Sequence, residues 1–116
     1  MPSTKNIATK DYYVIHSTNT YAQDMFLMNV ESTPENKCLP VWSIQEPIYK
    51  TMLFESYRKA LNFLTGDWMF ETNDNGEYKF TIDDIKKWRK EVSLSDIMQV
   101  TISVKPVPAS LIAPSL

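Results

Sequence analysis

Glycine, cysteine and histidine are almost missing from this sequence. Two glycines in 116 residues exclude a glycine-rich phosphate loop and a glycine-rich linker, because both need backbone conformations that only glycine adopts cheaply. The single cysteine, Cys38, excludes an intrachain disulfide and agrees with a reducing compartment. His16 is the only histidine, so it and Cys38 would need at least two carboxylates to complete a zinc set. No apolar run approaches the ~20 residues that cross a bilayer. The polar opening MPSTKNIATK has no apolar core of a secretory signal, so the expectation is an intracellular protein. Charge excess is missing too. Twelve Lys and Arg against fourteen Asp and Glu leave a formal net charge of −2. That is too small for an acidic nucleic-acid mimic and of the wrong sign for a general nucleic-acid binder.

What is present is an ordinary globular composition, 43% hydrophobic and 22% charged, in a length that suits one domain. The stretch from Val41 to Gly66 organises it. It reads as a strand, a break at Pro47, a second short strand ending at Phe54, then a helix capped by Ser56 and closed by Gly66. Tyr57, Ala60, Leu61 and Leu64 fall at i, i+3, i+4 and i+7 and predict its buried stripe. Before it, YYVI (Tyr12 to Ile15) and MFLMNV (Met25 to Val30) predict an antiparallel hairpin, followed by a loop around Pro34 and Asn36. After it, Trp68 to Glu71 and Glu77 to Phe80 read as strands joined by a turn at Asn75-Gly76. Thr81 and Asp84 predict a capping box for a second helix, with Phe80 and Ile85 as its hydrophobic staple and Ile85, Trp88 and Val92 as its buried side. Met98, Val100, Ile102 and Val104 alternate with polar residues, which predicts a strand with one wet face. The fold expected is α+β: a mainly antiparallel sheet of five or six short strands packed with two helices. An N-terminal arm would cover residues 1–11, the domain 12–105 and a proline-rich tail 106–116.

Several residue groups are candidates for chemistry. Glu71, Asn73 and Asn75 stand at alternate positions before Gly76, as in a calcium loop, but the twelfth position is Ile82, which offers no oxygen, so a hairpin accounts better for them. His16 and Cys38 would make a base and nucleophile only if the fold joined them. Asp83 and Asp84 suit the first turn of a helix, where negative charge is favoured, and Asp11 and Asp24 are scattered. The basic cluster Lys86, Lys87, Arg89 and Lys90 is a candidate phosphate-contacting face, diluted by Asp83, Asp84 and Glu91. With 12% aromatic residues and six methionines, an excess on the surface would mark a protein-binding patch. Leu111, Ile112 and Leu116 in the tail are candidate contacts of a homodimer.

YYVI, MFLMNV, VWS and MLFESYRKALNFL together resemble small uncharacterised proteins of phages and prophages of Gram-positive bacteria, through Trp42, Phe54, Ser56, Ala60 and Leu64. The resemblance spans about the first 65 residues and carries over no site residues, since the family has no agreed activity. It implies a phage accessory protein in the cytoplasm of a bacterial host. Such proteins often bind a host or defence protein, including as anti-CRISPR inhibitors of RNA-guided nucleases. The expected function is therefore non-catalytic protein binding with no cofactor or metal. The alternative is nucleic-acid binding through the basic face of the second helix.

Overall fold

Four strands make the sheet: β1 (Ala8–Thr18), β2 (Asp24–Glu31), β3 (Leu39–Ser43) and β4 (Asp96–Val104). The computed structural model of the chain describes residues 8–32, 38–44 and 48–105, Tyr49 by its backbone alone. Every pairing is antiparallel and the strand order is β3-β2-β1-β4. Two helices, α1 (Tyr57–Thr65) and α2 (Ile82–Glu91), stand between β3 and β4 in the chain. Ile15 and Leu27 of the sheet pack with Met69, Ile85, Trp88 and Val92 of the helical segment, so the core lies between sheet and helices.

The α+β class and the β1–β2 hairpin are as expected, but among the described residues four strands stand where about five or six were predicted. Of the expected strand ending at Phe54, only a bridge to Tyr13 forms. The segment acts as a wedge: Met52 N–H donates to the Leu27 carbonyl of β2, and Phe54 exchanges both main-chain bonds with Tyr13 of β1. The expected strand at Trp68 is instead a single 3₁₀ turn, Asp67–Phe70. Gly66 ends α1, and Met69 N–H bonds straight back to the Gly66 carbonyl, so the chain recoils before it can extend. The expected strand at Glu77 reduces to one bridge, Thr72 to Tyr78. In its turn only Gly76 takes a positive φ, 79°, and not Asn75. The organiser is Asn73, whose Oδ1 accepts from the N–H groups of Asn75 and Glu77.

Both helices start as their sequences predict. Ser56 accepts from Lys59 N–H, and Thr81 and Asp84 bond each other's backbone in a complete capping box. Gly66 caps the end of α1 at φ 86°, a left-handed conformation in which a Cβ is costly. The buried side of α1 is rotated from the expected stripe. Ala60 is buried and Phe63 and Leu64 join the core, whereas Tyr57 is exposed and Leu61 only half-buried. Aromatic packing sets this rotation, because the Phe63 ring stacks on Trp68 at 5.2 Å and meets Trp88 edge-on at 5.8 Å.

Side chains of the 3₁₀ turn and of α2 tie down the end of α1. Its last carbonyls have no partner within the helix. Trp68 Nε1 donates to Phe63 O at 3.0 Å, Trp88 Nε1 to Leu64 O at 3.0 Å, and Arg89 Nε to Thr65 O at 2.9 Å. Two indoles thus satisfy their only donors while burying their rings. The alternation in β4 departs from expectation at its ends. Ile97, opposite Ile15, is half-buried, while Met98 and Val104 are largely exposed. Between Gln99 and Ser103 the expected alternation is kept, with Val100 and Ile102 half-buried between exposed polar residues, although the paired residues Ala8–Asp11 of β1 are all exposed.

Candidate functional site

A groove opens beside the N-terminus of α2. It measures about 320 Å³ and is lined by Met69, Phe70, Tyr78, Phe80, Thr81, Ile82 and Ile85. Three local structures build it. The 3₁₀ turn buries Met69 and turns Phe70 outward. The Asn73-centred turn returns the chain so that Tyr78 bridges to Thr72. The capping box starts α2 with Ile82 facing outward and Ile85 inward. Phe80 meets the core indole Trp68 edge-on at 5.5 Å, which connects the groove to the aromatic cluster.

Large apolar side chains stay open to solvent here: Phe70 is 46% exposed, Tyr78 69% and Ile82 61%. Isolated apolar residues on a surface are normal, but several around one concavity mark a recognition site. The lining holds no nucleophile and base in contact, and the Thr81 hydroxyl accepts the Asp84 N–H of the cap. What the groove can do is take up an apolar side chain. Its surroundings are acidic. Between residues 71 and 84 stand Glu71, Asp74, Glu77, Asp83 and Asp84 against Lys79 alone, and Lys79 lies 3.9 Å from Glu71.

The residues singled out from sequence fall elsewhere. Lys86, Lys87, Arg89 and Lys90 do share α2, with Trp88 wholly buried between them. Arg89, however, spends its Nε on the Thr65 carbonyl, so the cluster is in part a cap for α1. His16 and Cys38 do not make a reactive pair. Cys38 is packed in the core, and both ring nitrogens of His16 are taken by carboxylates. Nε2 lies 2.7 Å from Asp24 Oδ1 and Nδ1 lies 2.8 Å from Asp96 Oδ1. Two carboxylate acceptors require two N–H donors, so the geometry is that of an imidazolium. Burial disfavours that charge, but the hydrogen bonds and charges of Asp24 and Asp96 outweigh it and hold the His16 pKa above its ordinary value. The triple clasps the first residues of β2 and β4 to β1. With neither nitrogen available, it is a structural clamp rather than a general base. The tail contacts Leu111, Ile112 and Leu116 lie outside the described residues.

Among the described residues no group of His, Cys, Asp and Glu is arranged to hold a metal ion, and no helix is long and apolar enough to cross a membrane. No family model, no curated protein and no solved structure matches the chain.

Sequence reasoning missed Phe70, Tyr78 and Ile82. The first two read as strand residues, whose inward or outward sense depends on a pairing that does not form. Ile82 gave no signal either: it stands three residues before Ile85, a spacing that puts both on one side of α2, and it is exposed at the first helical position. The Asp24–His16–Asp96 clamp was equally hidden, since Asp96 comes opposite His16 only through the β1–β4 register.

Proposed function

We propose that the protein is a non-catalytic accessory protein of phage type that acts by binding a bacterial protein in the host cytoplasm. The observation that supports this most directly is the open apolar groove at Phe70, Tyr78 and Ile82. An aromatic-rich concavity with an uncharged lining is the composition of an interface centre. The carboxylates around it favour a partner segment that presents an apolar side chain flanked by Lys or Arg. The resemblance of the first part of the chain to phage and prophage proteins supports the source of the partner. Within that class, inhibition of a defence protein such as an RNA-guided nuclease is the activity proposed.

Capture from nuclease-treated bacterial lysate tests the reading, with wild type compared with Ile82→Asp and with Lys86→Glu/Lys90→Glu. A protein retained by wild type and by the double variant, but lost with Ile82→Asp, is the expected result. Capture that vanishes with nuclease treatment or with the double variant, and survives Ile82→Asp, would show instead that the basic face of α2 binds nucleic acid and that the groove does not bind.

A further inference from the structure

The free edge of β4 carries an inference beyond that reading. Phe54 exchanges both of its main-chain bonds with Tyr13, and Tyr13 also stands opposite Gln99 of β4. A strand residue points its N–H and C=O to one side, and successive residues alternate. Tyr13 therefore faces away from β4, and the bonds between β1 and β4 come from the even-numbered residues of β4. Ile97, Gln99 and Thr101 turn their N–H and C=O outward. No strand among the described residues lies on that side, and no bond among the described residues reaches those groups. The edge is regular, because all nine residues of β4 stay in one register with β1 and no bulge interrupts them. Ile97 to Val104 contains no charge, no proline and no glycine. Natural edge strands are usually blunted by such residues.

We propose that this edge is the seam of a homodimer in which β4 pairs antiparallel with β4 of a second copy, about a two-fold axis at Val100. The strand is complementary to itself. Under an axis normal to the sheet, side chains keep their own face and residues of like parity meet. With Val100 opposite Val100, Met98 meets Ile102 on one face and Gln99 meets Thr101 on the other, so apolar residues join apolar and polar join polar. Gln99 and Thr101 form a hydrogen-bonded pair on each side of the axis, using the groups that now point outward. Met98, 44% exposed, gains a cross-strand neighbour. The seam lies outside the groove and needs no residue of the tail.

Sedimentation of the full chain at micromolar concentration, with three variants, tests this. Gln99→Pro removes an outward N–H without cutting the ladder to β1, and Gln99→Lys keeps every main-chain group but brings a charge to the seam. Wild type is expected at twice the monomer mass and both variants at the monomer mass, with unchanged circular dichroism. Should Gln99→Pro unfold, Gln99→Lys decides alone. Val100→Cys is expected to link covalently under mild oxidation, because the axial pair is a close, non-hydrogen-bonded one. Monomeric wild type overturns the proposal. So does a dimer that withstands Gln99→Lys, or one that is lost when the chain ends at Lys105, which would assign the contact to the tail.

Discussion

Replacing His16 by Gln removes an imidazolium that joins three strands, and the structure sets both the size of the loss and its pH dependence. The ring donates at 2.7 Å to Asp24 and at 2.8 Å to Asp96. Buried hydrogen bonds to charged groups contribute about 1.5–3 kcal/mol each. Here the acceptor side chains are 74% and 68% exposed, so solvent screening brings each nearer to ~0.5–1 kcal/mol. The His16 ring also leaves its contact with Phe26, 5.4 Å away. A Gln amide can replace one bond but not both, so the expected cost is about 1–2 kcal/mol at pH 5.5. The pH dependence comes from the raised pKa. The folded protein binds the proton more tightly than the unfolded chain does, so the clamp contributes fully below the unfolded value of ~6.5. It is lost as pH rises through the higher folded value. Urea unfolding followed by tryptophan fluorescence between pH 5.5 and 9 reads this directly. Wild type should lose stability across the range relative to His16→Gln, and the gap between them should narrow. A gap of constant size, or a variant as stable as wild type at pH 5.5, would refute the clamp.

The packing sets four further outcomes. Gly66→Ala should cost about 1–2 kcal/mol, because φ is 86° and the new Cβ would stand 3.3 Å from the Trp88 ring; an unchanged melting temperature would contradict that account. Ser56→Ala should cost about 1 kcal/mol by loss of the cap, measured by the same denaturation. Phe63→Ala should cost about 3–5 kcal/mol, well above Leu61→Ala, since Phe63 packs against Phe54, Trp68 and Trp88 while Leu61 is half-buried; equal costs would restore the stripe expected from spacing. Millimolar calcium should leave the melting temperature unchanged, because Asn73 Oδ1 is committed to two backbone N–H groups and Ile82 supplies no ligand.

Local signals were legible wherever their partners lie within a few residues. The Ser56 cap, the Gly66 terminus and the Thr81–Asp84 box each depend on one helical turn, and each is formed. The β1–β2 pairing was legible because a short turn joins the strands. What failed depended on distant packing. WMFE has strand-forming residues, yet it coils because Gly66 leaves the helix directly before it and Trp68 must reach back to Phe63. The stripe of α1 is rotated because Phe63 joins an aromatic cluster formed with Trp68 and Trp88, residues that come later in the chain. The groove depends on three segments meeting, so composition announced a surplus of aromatics without locating it.

The titration that bears most directly on the proposed function is that of a captured bacterial protein against wild type and Ile82→Asp, each at 0.1 and 0.5 M salt. A buried apolar anchor predicts that Ile82→Asp weakens binding by at least about tenfold, or ~1.4 kcal/mol. Salt should change the affinity of wild type by no more than about threefold, since burial of an apolar side chain releases few counterions. Equal affinity of Ile82→Asp and wild type, with steep weakening of both by salt, would contradict the groove as the binding site.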